Sequence, residues 1–93
     1  MAVAAHVVLP GISKEQYDQV RAEVGWHERP PDGGISYVAW WEGEDCHSVG
    51  AWESEAALEA FGRDHLRPAM AKLGIQVSGQ RTLHPTYEVY TPR

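Results

Sequence analysis

The hydrophobic positions near the start of the chain form a short continuous run. Residues 2–9 are apolar and rich in β-branched side chains except at His6, and Pro10 and Gly11 follow them directly. A run of this length that stops at a Pro-Gly pair is typical of a buried strand closed by a turn. We therefore predict a first strand over residues 2–9.

A helical period replaces this pattern after residue 12. Ser13 and Gln16 have the spacing of a capping box, and Gly25 supplies the left-handed position that commonly ends a helix. Between them the apolar residues recur three and four positions apart, at Tyr17, Val20 and Val24. This stripe predicts a first helix from about residue 14 to about residue 24.

The middle of the chain predicts a loop and then a hairpin. Residues 25–34 hold two prolines and three glycines, through which neither a helix nor a strand ladder propagates. Residues 35–42 and 46–53 are strand-like, with an acidic turn between them at residues 43–45. The pattern therefore predicts a long loop followed by a β-hairpin.

The last third of the chain predicts a helix and a final strand. Ser54 is placed to cap a second helix, but Gly62 and Pro68 interrupt its stripe. We expect two helical pieces with a break or kink near residues 62–67 and an end at Gly74. The remainder, Ile75 to Tyr90, alternates irregularly and predicts a bulged or edge strand.

The element order is thus βαββαβ, the ferredoxin-like arrangement, in a single α+β domain over residues 1–93. It predicts a four-stranded antiparallel sheet with both helices on one face. In the third strand Cys46, Ser48, Gly50 and Trp52 lie on one side and His47, Val49 and Ala51 on the other, so neither side is cleanly polar. A two-fold homodimer that joins the open sheet faces would cover them.

Composition limits the partners. A chain of 93 residues buries only about 60–65% of its unfolded surface, which also favours a partner subunit. The net charge of −5, with scattered basic residues, argues against nucleic acid. Cys46 is the single cysteine, which excludes a thiolate zinc site and an intrachain disulfide. The first ten residues lack a signal or membrane-spanning pattern, so we expect a cytoplasmic protein without a membrane partner.

Histidines and aromatic residues are the candidates for chemistry. The chain has no phosphate-binding glycine loop, nucleophile elbow or His-x-x-x-His spacing. His6 lies mid-strand and His65 lies beside the expected helix break, so each has both a structural and an acid–base interpretation. His27, His47 and His84 fit structural or solvated roles better.

Four tryptophans and four tyrosines suit either a small core or an aromatic pocket. Trp52 either plugs the core or lines a site with Ser48, with the small Gly50 beside it and residues 25–34 as a cover. Trp40 and Trp41 are adjacent, so one of them faces the cleft and the other the opposite sheet face. Tyr37, Tyr87 and Tyr90 are candidate phenol donors.

One junction resembles a known family. The stretch from Val49 to Phe61, followed by residues 63–68, is similar to the junction of the third strand and second helix in dimeric α/β-barrel proteins of the antibiotic-biosynthesis-monooxygenase type. That resemblance implies a ferredoxin-like homodimer. It leaves the function open among cofactor-free oxygenases, haem degraders, polyketide cyclases and proteins without assigned activity.

The branches of this family place different residues in their sites. In the quinone-forming oxygenases an Asn four residues before the junction Trp helps to hold a phenol, and Ser48 stands there in this chain. The haem degraders would need a Trp and an iron-ligating His where Phe61 and Ala71 stand, which argues against haem. In the polyketide cyclases two histidines act near the positions of His6 and His65.

The resulting hypothesis is a cofactor-independent enzyme that oxygenates or cyclises an aromatic or polyketide-like molecule, with no metal. The candidate catalytic residues are His6 and His65. The candidate substrate-binding residues are Trp52, Ser48, Trp40 and Tyr37. The alternative is a non-catalytic homodimer of the same fold that binds a small ligand.

Overall fold

The computed structural model describes residues 2–76 and 79–91. Its elements follow the predicted βαββαβ order. The strands are β1 (Val3–Leu9), β2 (Gly34–Glu42), β3 (Asp45–Trp52) and β4 (Gln80–Pro85). The helices are α1 (Lys14–Val24), α2 (Glu55–Phe61) and α3 (Arg67–Lys72), with a π-helical turn over Gly62–Leu66 between α2 and α3.

Helix α1 begins and ends where the capping signals predict. The backbone N–H of Gln16 donates to the Ser13 hydroxyl, and the Gln16 side chain accepts from the backbone N–H of Ser13. Gly25 adopts φ 70° and its N–H donates to the carbonyl of Arg21. The polar groups of both helix ends are thereby satisfied locally, which fixes the length of α1.

The antiparallel sheet has the strand order β2-β3-β1-β4. A two-residue turn at Gly43 and Glu44 joins β2 to β3, with Gly43 at φ 61°, since a tight hairpin requires a positive φ there. In the central pair Ala5 lies opposite Gly50. Because side chains alternate, the odd-numbered residues of β1 and the even-numbered residues of β3 share one face.

Helix α1 and the region from α2 to α3 both pack on that face, where they cover two adjoining core clusters. The first contains the buried residues Ile12, Val20, Cys46 and Ile75. The second contains Ala5, Trp52 and Leu58. Burial raises the pKa of the Cys46 thiol, so this cysteine behaves as an apolar core residue.

The second helical region has its expected irregularity near residues 62–67, in the form of a π-helical turn over Gly62–Leu66 and not of a break. The Ser54 hydroxyl accepts the backbone N–H of Ala57 at its start, as predicted. The chain then keeps helical dihedrals through Gly62 and Arg67 and widens into the π-helical turn instead of breaking. A proline at position 68 crowds the turn before it, and a π-turn absorbs such crowding without ending the helix.

Strand β4 is shorter than predicted. It ends at Pro85, whereas the sequence pattern extended the strand to Tyr90. The proline has no N–H to donate to a ladder, and the next residue, Thr86, donates both its backbone N–H and its hydroxyl to the carbonyl of Ala2. Residues 77 and 78, which the predicted strand also included, lie outside the described residues.

No helix in residues 2–76 and 79–91 is long and apolar enough to cross a membrane.

Gly33 fixes the end of the loop over residues 25–33. It adopts φ 81°, and a Cβ built there would lie 2.5 Å from the Cβ of Ala57. Its carbonyl accepts the backbone N–H of Glu53 at 2.7 Å. The loop therefore approaches the start of α2 as closely as a residue without a side chain allows.

A matched pair of glycine variants tests this close approach. Gly11 has a similar φ of 73° but open space around it, so Gly11→Ala carries only the left-handed backbone cost of about 1–2 kcal/mol. Gly33→Ala adds the overlap with Ala57, and we expect about 1–3 kcal/mol more. Urea unfolding followed by tryptophan fluorescence measures both, and equal losses in the two variants would contradict the close packing.

Candidate active site

A cleft of about 500 Å³ opens between α1 and β2. Helix α1 contributes Lys14, Tyr17, Asp18 and Arg21 to its lining. Strand β2 contributes Tyr37, Val38, Ala39 and Trp41, and the loop over residues 25–33 contributes His27. The cleft thus combines three aromatic rings, an imidazole and charged groups, which is the composition of a small-molecule site.

His27 and Tyr37 form a hydrogen-bonded pair at one end of this cleft. The Nε2 atom of His27 lies 3.2 Å from the Tyr37 hydroxyl, and the His27 tautomer decides which of them donates. The ring of Trp26 meets that of Tyr37 edge to face, with centroids 4.8 Å apart. The loop that carries His27 is therefore held against β2 by aromatic packing one residue earlier.

Tyr17 and Trp41 form the other part of the cleft wall. Their rings meet edge to face with centroids 5.6 Å apart, and the Trp41 indole N–H donates to the carbonyl of Ile12 at 3.0 Å. Burial, together with the neighbouring Tyr37 and Cys46, raises the pKa of Tyr17 well above its ordinary value. Tyr17 is therefore a neutral phenol that can donate a hydrogen bond over the whole physiological range.

Trp52 lies on the helix-facing side of the sheet with Ser48 and Gly50, and it is only 3% exposed. Its indole contacts Trp26 at 5.5 Å and Phe61 at 5.3 Å between ring centroids. A Cβ on Gly50 would lie 3.2 Å from the Trp52 Nε1 atom, so the indole itself fills the space beside that glycine. The structure therefore supports the core-plug interpretation of Trp52.

Ser48 shares the helix-facing side of β3 with Trp52 and is half-buried, opposite Val7 of β1 and Ala39 of β2. Tyr37 lies on the same side of the sheet and lines the cleft. Of the six predicted site residues, Tyr37 is the one that borders this cleft.

The placement of Trp40 in the cleft is wrong. Trp41 faces the helices, so its neighbour Trp40 faces the open side of the sheet, as alternation along a strand requires. His6 is on this open side too. The Trp40 ring stacks on His6 at 6.2 Å and on His47 at 5.5 Å, and the His6 Nε2 atom lies 3.2 Å from His47 Nδ1. His6 is therefore separated from Tyr37 by the sheet.

His65 lies in a different groove on the outer side of the helix layer. This groove has a volume of about 440 Å³, and the π-helical turn, α3 and Pro30 and Pro31 of the loop line it. The His65 ring lies 6.0 Å from that of Phe61. The structure therefore does not bring the two predicted acid–base residues, His6 and His65, together.

Sequence reasoning missed the part of the site that depends on tertiary contacts. His27 stands in a glycine- and proline-rich loop with no periodicity, and its partner is ten residues away in the chain. Tyr17 was identified only as an apolar helix position, although it faces a polar cleft. Its four-residue spacing from Arg21 was the one available signal that both residues lie on the same helix face.

No group of three or more His, Cys, Asp or Glu side chains is placed to hold a metal ion within residues 2–76 and 79–91.

Similar folds occur among solved structures. SnoaB, a cofactor-independent oxygenase from Streptomyces nogalater, superimposes with a TM-score of 0.66 at 11% identity, over 95% of this chain and 94% of that one. A monooxygenase from the gene ActVA-Orf6 of Streptomyces coelicolor, in complex with nanaomycin D, gives 0.61 at 20% identity, over 99% and 93%. The chain shares their fold.

The fold predicted from the resemblance is thereby confirmed. Not every protein of this shape has a known activity, since NE2512 from Nitrosomonas europaea, described as of unknown function, matches with a TM-score of 0.74 at 12% identity, over 99% of this chain and 95% of that one. No family model matches the sequence, and no curated protein sequence matches it. Identities of this size establish the fold, and function has to be argued from the site.

Trp52→Ala tests the core-plug interpretation of that residue. Removal of an indole that is 3% exposed should lower the free energy of unfolding by about 3–5 kcal/mol. Tyr87→Ala is the matched control, since Tyr87 is fully exposed and its loss should stay within about 0.5 kcal/mol. Chemical denaturation measures both variants, and a loss below about 1 kcal/mol for Trp52→Ala would mean that the indole does not support the core.

Proposed function

We propose that the chain is a cofactor-independent enzyme that binds a small phenolic aromatic molecule in the cleft between α1 and β2 and oxygenates or cyclises it. The observation that carries this proposal is the hydrogen-bonded pair of His27 and Tyr37 on the wall of an aromatic cleft. The shared fold with SnoaB and with the ActVA-Orf6 monooxygenase supports it.

The side chains of the cleft would have separate roles in binding the substrate and in moving its proton. The rings of Tyr37 and Trp41 hold the substrate ring by packing, and Tyr17, whose raised pKa keeps it protonated, donates a hydrogen bond to a substrate oxygen. His27 accepts the proton of the substrate phenol, directly or through the Tyr37 hydroxyl. Loss of that proton makes the ring electron-rich.

An electron-rich ring has two reactions available. It attacks a carbonyl of the same molecule and closes a new ring with loss of water. Alternatively it reacts with O₂, so that a ring C–H and the phenol become the two carbonyls of a quinone, one oxygen atom stays in the product and the other leaves as water with the two hydrogens. In both reactions the protein positions the substrate and moves one proton.

In this proposal His27 accepts the substrate proton, in place of His6 and His65, which the sequence predicted as the acid–base residues. His6 faces the open side of the sheet, and His65 lies in the outer groove beside Phe61. His27 is the histidine that contacts the cleft.

Substitution of the His27 and Tyr37 pair tests the activity. Air-saturated protein is incubated with a panel of fused-ring phenols, and mass spectrometry seeks either a gain of one oxygen with loss of two hydrogens or a loss of water. With the best substrate, His27→Gln and Tyr37→Phe should each lower kcat by about 10²-fold, the usual contribution of one proton-transfer group.

Tyr87→Phe is the control for that experiment, because Tyr87 lies outside the cleft and is fully exposed. Wild-type turnover in both cleft variants would show that the pair does not act on protons. Thermal stabilisation by a fused-ring phenol without any product would favour the alternative function, a non-catalytic ligand-binding protein.

A homodimer through the open sheet face is part of the proposed assembly. This face carries two exposed apolar side chains, Val38, 62% exposed, and Trp40, 36% exposed, beside the half-buried His6 and His47. A second copy that applied the same face would remove these side chains from water.

The reduced thiol of Cys46 also fits a reducing compartment such as the cytoplasm.

Val38→Glu tests the dimer. A carboxylate buried in that interface should dissociate it, while the protomer stays folded because residue 38 is exposed there. Ala56→Glu adds the same charge on the exposed start of α2 and should leave the assembly intact. Light scattering should give twice the chain mass of 10.4 kDa for the wild type and the control, and a monomeric wild type at micromolar concentration would contradict the assembly.

A further inference from the structure

Two histidines meet near the centre of the open sheet face. His6 is the middle residue of β1, and His47 lies on the neighbouring strand β3, the other inner strand of the sheet. The His6 Nε2 atom lies 3.2 Å from His47 Nδ1, and both residues are half-buried. The ring of Trp40 stacks on the two imidazoles at interplanar angles of 20° and 18°. An aromatic neighbour therefore holds both rings in place.

The separation of these two nitrogen atoms suits a metal ion. Zinc binds imidazole nitrogens at about 2.0–2.1 Å in a tetrahedron, so two of its nitrogen ligands lie about 3.3–3.4 Å apart. The observed 3.2 Å is close to that value, so small rotations of the rings would direct both lone pairs to one ion. The same distance also suits a hydrogen bond between the rings, and a metal titration distinguishes the two interpretations.

Glu42 is placed as an outer partner of such a site. Its Oε1 atom accepts the Trp40 indole N–H at 3.2 Å, and its Oε2 atom lies 3.6 Å from His47 Nε2. A carboxylate beside Nε2 favours the tautomer that carries its proton there, which leaves the lone pair of Nδ1 free. Metal-bound histidines commonly direct their other N–H to a carboxylate in this way.

One protomer does not complete the coordination of an ion. Within residues 2–76 and 79–91 no third His, Cys, Asp or Glu side chain is placed to join the pair, and a structural zinc ion takes four protein ligands. An isologous dimer presents the same patch twice, so residues near the middle of the patch meet their own copies at the two-fold axis. Because the pair lies on the two inner strands, a second copy would supply the two missing nitrogens.

We propose that the homodimer binds one Zn²⁺ ion between its two open sheet faces, through His6 Nε2 and His47 Nδ1 of each copy. The two Glu42 carboxylates of the dimer offset the charge of the ion. The site lies on the side of the sheet opposite the cleft, so its ion supports assembly and takes no part in the proposed reaction. This inference rests on the proposed homodimer and specifies what its interface holds.

Calorimetric titration of metal-free, tag-free protein with Zn²⁺ tests the site. We expect the wild type to bind one ion per two chains. His6→Gln and His47→Gln should each weaken binding by more than about 100-fold, because each removes two of the four ligands, and Glu42→Gln should weaken it about tenfold. His84→Gln should bind as the wild type does, since His84 shares the open face but is exposed on the outer strand β4. Circular dichroism checks that each variant is folded.

The oligomeric state is the second measurement. Zn²⁺ should lower the dissociation constant of the wild-type dimer at least about tenfold, because the ion binds the dimer and not the monomer, and it should leave His6→Gln unchanged. Light scattering over a dilution series, with Zn²⁺ or with a chelator, measures this. A dimer that binds no zinc, or that binds it equally after His6→Gln, would overturn the inference and leave the assembly intact. A wild type that is monomeric with and without zinc would overturn both.

Discussion

Trp52 lies under the helix layer with Trp26 and Phe61 against its indole, at 5.5 and 5.3 Å between ring centroids. These contacts join the end of β3 and the end of α2 to the loop over residues 25–33, which lies much earlier in the chain. Large rings supply most of the buried area in a core this small. The loop acquires a fixed position from them, and through Trp26 that position brings His27 to Tyr37.

Because side chains alternate along a β-strand, the other candidate residues lie on two opposite faces of the sheet and cannot contact one another across it. Trp41, Tyr37 and Ser48 face the helices, whereas Trp40, His6 and His47 form a stack on the open side. The thickness of the sheet lies between the two sets. The cleft and the open face therefore lie on opposite sides of the sheet, and Val38 of the edge strand β2 borders both.

The sequence predicted correctly those features that depend on residues close together in the chain. Helix α1 was predicted at both ends because its caps are formed by residues within the helix and its flanks. The grouping of Trp52 with Ser48 and Gly50 on one side of the sheet also followed from the strand period, but the period alone did not decide which side faces the helices. Strand β4 was overextended because its end depends on the contact of Thr86 with Ala2, at the other end of the chain. The helix continues through Gly62 because the π-helical turn accommodates Pro68, a residue that otherwise breaks an α-helix.

The residues that could act on a substrate were the hardest to predict, and the fold explains why. The shared sheet and helices persist at 11–20% identity to the two oxygenases, so the architecture constrains few side chains beyond their polarity. The His27 and Tyr37 pair of the cleft forms where a loop touches a strand, and loops change more freely than the elements that they connect. The fold thus supplies a fixed aromatic wall, and the loop supplies the titratable group. In this chain the histidine of the cleft therefore comes from residues 25–33, and the sheet supplies the tyrosine that it contacts.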